Sequence, residues 1–261
     1  MSLFRNLLDF SGKNIVITGG LGLIGREVVR AFLEYNANVI IADVDETYFS
    51  TLTTEKTRDR CFFTYFDIGQ LEKIPDNITS LVMKHKKIDA WINTAYPRTS
   101  DWNNHIEDIT FTSWDQNIRT HLGGYFWTSK YILEHMKEQR NGSLINFGSI
   151  YGVVGPNFEI YKDTEMTTPV AYAAIKGGIV NLTRYFSALY GQYNVRVNTI
   201  CPGGVFNHQA PWFVERYNTL TPLKRMAKAY ELAMPTLFLA SDAASYITGH
   251  TLMVDGGWTA W

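Results

Sequence analysis

The sequence predicts an α/β fold, in which one domain is built on a doubly wound, Rossmann-type sheet of about seven parallel strands. Short apolar segments rich in β-branched residues alternate with helical patterns along all 261 residues. The first of these segments runs directly into a glycine-rich turn, and no linker, repeat or low-complexity stretch interrupts the alternation. Strands that are separated by helices pair in parallel through right-handed crossovers, which produces a doubly wound sheet.

Seven segments are expected to form the strands, because each is short, apolar and bounded by polar or glycine residues. They are residues 14–18, 38–42, 61–66, 88–93, 142–147, 195–200 and 251–255. Helices are expected between them, where apolar residues recur at helical spacing. These helices are expected over residues 27–35, 47–60, 77–87, 114–137, 170–190 and 226–240.

Composition indicates a protein of the cytoplasm. Lysine plus arginine (24) nearly balance aspartate plus glutamate (25), which argues against a nucleic acid or an anionic membrane as a partner bound by charge. No apolar run approaches the ~20 residues of a membrane span, and the first 13 residues include Arg5 and Asp9 and no signal-peptide core. Cys61 and Cys201 are far apart and fit no metal spacing, so no metal site is expected.

The turn after the first strand has the composition of a pyrophosphate-binding loop. Segment 14–18 leads into Gly19-Gly-Leu-Gly-Leu-Ile-Gly25, and a helical pattern follows. Glycines let the backbone approach a ligand closely, and the free N–H groups at a helix N-terminus face the anion. A βαβ unit that binds no nucleotide is the alternative.

The second strand ends in Asp43, 18 residues beyond Gly25. A carboxylate at this place can accept hydrogen bonds from both hydroxyls of the adenosine ribose, and it would repel a 2′-phosphate. Neither Val44 nor Asp45 supplies a cation that could compensate. The expected cofactor is therefore NAD rather than NADP.

Tyr172 and Lys176 form a candidate acid–base pair. Residues four apart on a helix share a face, so the phenol and the ammonium project into the same space. A nearby cation favours the phenolate and lowers its pKa, which would let Tyr172 exchange a proton with an alcohol or a carbonyl. The spacing alone is also common on exposed helix faces, so the assignment depends on supporting motifs.

Such motifs occur along essentially the whole chain, which resembles the short-chain dehydrogenase/reductase superfamily in its single-domain branch. The resemblance rests on Thr18-Gly19 with Gly25, Asp67, Asn93, Ser149, the Tyr172/Lys176 pair, Pro202-Gly203, and the C-terminal segments 246–249 and 255–257. It implies a cofactor site formed by Thr18, Gly19, Gly22, Leu23, Ile24, Gly25, Asp43, Asp67, Ile68, Asn93, Ala95, Tyr172, Lys176, Pro202, Gly203, Val205 and Asn207.

The resemblance also implies roles for four catalytic residues. Tyr172 would exchange the proton, Lys176 would lower the Tyr172 pKa and hold the nicotinamide ribose, and Ser149 would hydrogen-bond the substrate oxygen. His121 aligns with the asparagine of the family's catalytic tetrad, and we expect its neutral imidazole to take part in the proton relay. A core histidine bonded to a backbone carbonyl is the alternative.

Departures from the family pattern indicate where the substrate binds. Tyr96 stands where the family's Asn-Asn-Ala-Gly motif ends in glycine, and about ten residues are inserted between Val154 and Pro169. We expect segments 154–169 and 205–225 to cover the pocket as lids. The candidate substrate contacts are Tyr96, Arg98, Trp102, Tyr151 and Trp212.

Three short stretches, at 95–98, 121–125 and 149–152, resemble a subfamily of dehydrogenases called flagellin modification protein A, which is linked to bacterial surface-sugar pathways. The expected function is therefore NAD-dependent interconversion of a secondary alcohol and a carbonyl on a sugar or nucleotide sugar. An inactive NAD-binding scaffold is one alternative. An NAD-recycling epimerase or dehydratase is another, because the Gly22 spacing is like that of the family's extended branch.

The resemblance suggests a homodimer or homotetramer that associates through two long helices. Small residues at Ala173, Ala174, Gly177 and Gly178 would permit close approach of the helices there.

Overall fold

Seven parallel strands form the central sheet of the computed structural model, which describes residues 6–261. The strands are β1 (Asn14–Thr18), β2 (Asn38–Asp43), β3 (Cys61–Tyr65), β4 (Ala90–Asn93), β5 (Gly142–Phe147), β6 (Val195–Pro202) and β7 (Thr251–Val254). Their order in the sheet is β3-β2-β1-β4-β5-β6-β7. The predicted doubly wound fold is confirmed, and the order reverses between β1 and β4, where open α/β sheets bind their ligands.

Eight helices connect the strands in the described part of the chain. They are α1 (Leu23–Glu34), α2 (Phe49–Leu52), α3 (Ile74–His85), α4 (Phe111–Asn117), α5 (Gly123–Glu138), α6 (Val170–Tyr190), α7 (Pro211–Leu220) and α8 (Ala233–Ala240). None of the described helices is long and apolar enough to cross a membrane. Arg5, one of the two charged residues noted near the N-terminus, lies outside the described residues.

The sheet is buried on both faces, which explains why its strands read as unbroken apolar runs. Ile15 and Ile17 of β1 pack in one core with α1 and α8, whereas Val16 between them packs in a second core with α3, α5 and α6. Successive side chains of a strand point to opposite faces, so a single apolar run supplies both cores.

The prediction of one helix over residues 47–60 is wrong. Only α2 and a single 3₁₀ turn, Arg58–Arg60, form there. Threonine hydroxyls hydrogen-bond the local backbone instead, from Thr51 to the Tyr48 carbonyl and from the Thr54 N–H to Thr57. Such local bonds compete with helical hydrogen bonds, and they favour turns.

Two other predicted helices differ from the structure. The helix predicted over 114–137 is divided by a π-helical turn, Ile118–Leu122, which separates α4 from α5. The helix predicted over 226–240 starts later, because a 3₁₀ turn, Ala229–Leu232, precedes α8. The predicted lid segment 205–225 contains α7, a helix that was not predicted although it begins with a proline at its first position.

Candidate active site

Three candidate catalytic side chains meet at the carboxyl edge of the sheet. Ser149 follows β5 and is buried, and it lies close enough to Tyr172 to lower the pKa of that phenol. Tyr172 lies in the first turn of α6, and Lys176 lies one turn further along the same helix. The structure therefore brings together the three residues that the sequence singles out, and their roles stay predictions.

Lys176 is buried inside a cage of aromatic rings. Its Nζ donates a hydrogen bond to the Phe147 carbonyl at 2.8 Å. It lies 5.8 Å from the ring centre of Tyr96, 5.3 Å from that of Tyr125 and 5.7 Å from that of Tyr172. Burial lowers the pKa of Lys176 from 10.5 to about 7, because the charged form loses its hydration.

Tyr172 packs edge-on against two other aromatic side chains. Its ring centre lies 5.9 Å from that of Tyr96 and 6.2 Å from that of Trp102. The pKa of Tyr172 is raised, because loss of hydration outweighs the opposite effect of the nearby Ser149 hydroxyl. A charged Lys176 is expected to lower the pKa of Tyr172, and this stays a prediction for the cofactor-bound enzyme. In this structure the pKa of Lys176 is about 7, so its amine is largely neutral at higher pH.

His121 is fully buried in the π-helical turn beside Lys176. Burial and then the charge of Lys176 lower the pKa of His121 well below 6.5, while the Pro97 carbonyl acts in the opposite direction. Among the described residues, neither ring nitrogen has a partner at normal hydrogen-bond geometry. The imidazole is therefore neutral, as the relay hypothesis requires, and it is not held by a regular bond to a carbonyl.

The glycine turn packs tightly at two of its glycines and ends at an uncapped helix. Gly19 has φ +66°, and a Cβ there would lie 2.6 Å from the Ala95 Cα; a Cβ on Gly25 would collide with the Gly19 carbonyl. Gly22 is less constrained, since its nearest contact would be at 3.2 Å. Within the described part of the chain no side chain caps α1, so the N–H groups of its first turn, from Leu23 and Ile24, remain free for a ligand.

Asp43 also has a structural role that the sequence did not reveal. One carboxylate oxygen accepts a hydrogen bond from the Leu21 N–H at 2.8 Å, and the other accepts one from the Val44 N–H at 2.7 Å. Asp43 thus ties the end of β2 to the glycine turn. The oxygen that binds Val44 also accepts a longer bond from the Asp45 N–H at 3.4 Å, whereas the oxygen that binds Leu21 keeps a lone pair that can accept from a ribose hydroxyl.

Other cofactor candidates are partly used within the protein. Asp67 accepts hydrogen bonds from the Gly69 N–H and from Gln70, and Ile68 after it is buried. Asn93 is buried, and its amide oxygen accepts from Trp91 at 2.9 Å and from Thr18 at 3.2 Å. The side chains of Thr18 and Asn93 therefore stabilise the sheet, and any cofactor contact from them would come from the backbone.

The turn after β6 is fixed by an unpredicted tyrosine. Tyr217 on α7 accepts a hydrogen bond from the Gly204 N–H, and its ring stacks on Trp258 with the ring centres 4.4 Å apart. A Cβ on Gly204 would lie 2.6 Å from the Tyr217 ring, which explains the second glycine of Pro202-Gly203-Gly204.

The residues after this turn differ in exposure. Val205 forms a short parallel bridge with Ala227, and Asn207 is exposed, with its N–H bonded to the Gln209 side chain at 2.7 Å.

Three of the candidate substrate residues lie next to Ser149 or Tyr172, and the other two lie further out. Tyr96 and Trp102 contact Tyr172, and the N–H of Tyr151 donates to the Ser149 hydroxyl at 3.2 Å. Trp212 lies on α7, where it packs against Phe213 and under the guanidinium of Arg216. Arg98 is exposed, and its guanidinium lies 5.5 Å from the ring centre of Tyr96.

The two expected lid segments pack on each other. Arg216 of α7 donates hydrogen bonds to the Ile160 carbonyl at 3.3 Å and to the Lys162 carbonyl at 2.5 Å. The rings of Tyr161 and Phe213 lie 5.9 Å apart. Segments 154–169 and 205–225 therefore form one unit, and its function as a lid stays a prediction. Among residues 6–261, no cluster of His, Cys, Asp and Glu could hold a metal ion.

Comparisons with known proteins identify relatives along nearly the whole chain. A family model described as enoyl-(acyl carrier protein) reductase matches residues 22–259. The post-translational flagellin modification protein A of Campylobacter coli is 32% identical over 250 residues, which cover 94% of this chain and 98% of that protein. The L-fucose dehydrogenase of Bos taurus is 30% identical over 259 residues, covering 95% of this chain and 90% of that enzyme.

A solved structure agrees with these matches. The short chain dehydrogenase from Leptospira borgpetersenii with bound NAD⁺ has a TM-score of 0.87 and 33% identity, and the match covers 99% of this chain and 96% of that one. With the sheet order and the site geometry, these comparisons show that the chain belongs to the short-chain dehydrogenase/reductase family, oxidoreductases that act on CH–OH groups with a nicotinamide nucleotide.

Proposed function

We propose that this protein is an NAD-dependent oxidoreductase that interconverts a secondary alcohol and a carbonyl on a sugar or a nucleotide sugar. The observation that carries the proposal is the cluster of Ser149, Tyr172 and Lys176 at the carboxyl edge of the sheet. The cluster lies at the edge where the uncapped start of α1 also lies, so a hydride acceptor and a proton acceptor can meet at one substrate carbon.

The residues present fit a dinucleotide. Gly19 and Gly25 let the turn pack tightly against the backbone of Ala95 and of the turn itself, and the first N–H groups of α1 are free within the described residues to face a pyrophosphate. Asp43 and Asp67 stand at the ends of β2 and β3, where they would hold the adenosine ribose and the adenine. When bound, NAD supplies the hydride acceptor, and the protein orients the substrate and manages one proton.

The proton steps are assigned to the catalytic cluster. Ser149 would hydrogen-bond the substrate oxygen and stabilise the charge that develops on it. Tyr172 would take the hydroxyl proton as the alcohol is oxidised, or return it as a carbonyl is reduced. Lys176, charged when it is hydrogen-bonded to the nicotinamide ribose, would favour the Tyr172 phenolate, and neutral His121 beside it would pass the proton onward.

The preference for NAD over NADP rests on Asp43. A carboxylate at the end of β2 repels a 2′-phosphate, and no cation follows at Val44 or Asp45. The guanidinium of Arg26 on α1 lies 4.7 Å from the ring centre of Tyr48, in the chain segment that follows β2. Titration of both cofactors tests the proposal, and tighter binding of NADP would refute it.

A sugar-like substrate is supported by the aromatic surroundings of Tyr172 and by the relatives. Tyr96 and Tyr151 offer flat apolar faces next to the hydroxyls of Ser149 and Tyr172, and buried Trp102 packs edge-on against the Tyr96 ring. The unit formed by the two lid segments would cover them. Two relatives are a fucose dehydrogenase and a flagellin modification protein. The experiment that tests the proposal is NADH-detected turnover on a panel of sugars and nucleotide sugars.

The same experiment separates the alternatives. Net formation of NADH excludes an epimerase or dehydratase that recycles its cofactor, the possibility that the Gly22 spacing leaves open. Binding of NAD without turnover on any alcohol or ketone of the panel would favour a scaffold protein instead. The complete trio of Ser149, Tyr172 and Lys176 argues against a scaffold, since nucleotide binding alone does not need it.

We further propose association through α5 and α6, within the cytoplasm. A shallow apolar groove between these helices contains Phe126, Trp127 and Leu182 on its walls, and Tyr185 of α6 is 63% exposed. A Cβ on Gly178 would meet Leu122 of the same chain at 3.0 Å, so this glycine serves packing within the subunit. Sedimentation of the protein with Trp127→Glu tests the interface, and an unchanged oligomeric state would refute it.

A further inference from the structure

The loop after β4 places hydrogen-bond donors beside the catalytic tyrosine. The Arg98 guanidinium lies 5.5 Å from the Tyr96 ring centre, and both side chains are exposed. A phenol carries one O–H donor, and a guanidinium carries five N–H donors in a planar fork. Tyr96 and Arg98 therefore present an O–H and a planar set of N–H groups side by side, which suits recognition of an anion.

This loop is firmly attached to the protein. The Thr99 N–H donates to Asn117 of α4 at 3.1 Å, and the Asn117 amide donates back to the Thr99 hydroxyl at 2.7 Å. Two residues further on, Asp101 accepts a hydrogen bond from Ser113 at 2.8 Å. These bonds fix the backbone that carries Tyr96 and Arg98, so less freedom of the loop is lost when a ligand binds.

The positive charge of Arg98 is not neutralised within the protein. Arg98 takes part in none of the ion pairs of residues 6–261. Asp101, the acid nearest to it in sequence, is bonded to Ser113 instead. Among residues 6–261 only Arg30, Arg119 and Arg225 pair with a carboxylate, so Arg98 differs from the other unpaired arginines by its place beside Tyr96 and Tyr172. An unpaired guanidinium at the edge of an active site has its charge available for substrate.

The distances limit the size of the substrate. The Arg98 guanidinium lies 5.5 Å from the Tyr96 ring centre, which lies 5.9 Å from the Tyr172 ring centre, so the guanidinium is within about 11 Å of the catalytic ring. Because this is an upper limit, an anion bound to Arg98 and an alcohol at Tyr172 can belong to one molecule of the size of a sugar acid or a sugar phosphate.

We infer that the substrate carries a carboxylate or a phosphate that Arg98 and Tyr96 bind, on the same sugar-sized molecule whose secondary alcohol meets Tyr172. The inference rests on the proposed function, because it takes Tyr172 as the reacting centre. It narrows the substrate class from sugars in general to sugar acids or sugar phosphates.

The test compares three probes: D-glucose, D-glucuronate and D-glucose 6-phosphate, each with NAD and with NADH detection. We expect a higher kcat/KM for at least one acidic probe than for glucose. Arg98→Gln should lower the ratio of kcat/KM between acidic and neutral probe by about 10- to 100-fold, the range for a hydrogen bond to a charged group. Arg98→Lys should recover part of the ratio, and which acid is preferred distinguishes carboxylate from phosphate.

Arg140→Gln is the matched control. Its guanidinium lies 5.2 Å from the Tyr193 ring centre, a similar arginine–tyrosine contact, but just before the start of β5 at the opposite edge of the sheet. This variant should keep the wild-type ratio. An unchanged ratio in Arg98→Gln would overturn the inference.

A binding measurement separates failure of this inference from failure of the proposed function. Calorimetric titration of the NAD-saturated Tyr172→Phe protein with glucuronate and with glucose 6-phosphate needs no turnover. Binding that depends on Arg98 supports the anion site even if the redox reaction is misassigned. Turnover of glucose alone, without Arg98-dependent binding of either acid, would leave the dehydrogenase standing and refute the anion site.

Discussion

Replacing Lys176 with methionine should stabilise the folded protein while it abolishes activity. Burial lowers the pKa of Lys176 from 10.5 to about 7. Each tenfold change in a proton equilibrium is worth about 1.4 kcal/mol, so charged Lys176 costs the folded state about 5 kcal/mol at or below pH 7. Methionine fills a similar volume without a charge, and it avoids this cost.

Part of that gain is offset by lost contacts. The Phe147 carbonyl would lose its donor, which costs about 1–3 kcal/mol for a buried group. The rings of Tyr96, Tyr125 and Tyr172 would lose the nearby cation, a smaller effect. We therefore expect a net increase of about 1–3 kcal/mol in the free energy of unfolding at pH 7.

The pH dependence identifies the cause. Between pH 7 and 10.5 the unfolded chain binds a proton at residue 176 that the folded wild type has released, so the stability of the wild type rises with pH across this window. The variant has no such group, and its advantage should shrink as the pH increases.

Urea unfolding of the cofactor-free protein, at one protein concentration and at several values across that pH window, measures this directly. Lys84→Met serves as the control, because Lys84 is exposed although its Nζ also lies near a ring, 6.0 Å from the centre of Phe62. A Lys176→Met protein that is less stable than wild type at pH 7, or an advantage that does not change with pH, would refute the reasoning.

Four further predictions concern the site. Tyr172→Phe should keep NAD affinity within a few-fold and lose nearly all turnover, and a tenth of the wild-type kcat would contradict its role. Asp43→Ala should weaken the discrimination against NADP in cofactor titrations, whereas an unchanged ratio of affinities would show that other groups set it. His121→Leu should slow turnover at least tenfold, while His121→Asn should keep activity and lose any His-dependent part of the acid limb in a pH–rate profile. Tyr217→Phe, which frees the Gly204 N–H, should raise KM for NAD several-fold more than it lowers kcat, and equal effects on both would argue against a cofactor-side role.

The strands could be predicted from sequence because each contributes to two cores at once. Ile15, Val16 and Ile17 are fully buried on alternating faces, and such runs have few other interpretations. The same reasoning could not exclude a helix over 47–60. The local structure there depends on side-chain hydrogen bonds, such as that from Thr51 to the Tyr48 carbonyl, which a hydrophobic pattern does not reveal.

The clustering of Ser149, Tyr172 and Lys176 was also predictable, because helical spacing and motif order place these residues. Its electrostatic surroundings were not. The rings around Lys176 come from the loop after β4 and from α5, which meet only in the folded chain. Likewise, the sequence shows two consecutive glycines after β6 but not that Tyr217 packs against the second of them.

The π-helical turn explains how one departure from the family motif fits the site. At Gly124, α5 closely approaches the loop after β3, since a Cβ there would lie 2.7 Å from the Ile68 carbonyl. A continuous helix over 114–137 would lack the wider turn that precedes this contact. The wider turn Ile118–Leu122 contains His121, which it places in the interior beside Lys176. A buried lysine with an unpaired imidazole as its neighbour is unfavourable for stability, and such arrangements persist mainly where function requires them. The position of His121 is therefore easier to explain by proton handling at Lys176 than by packing.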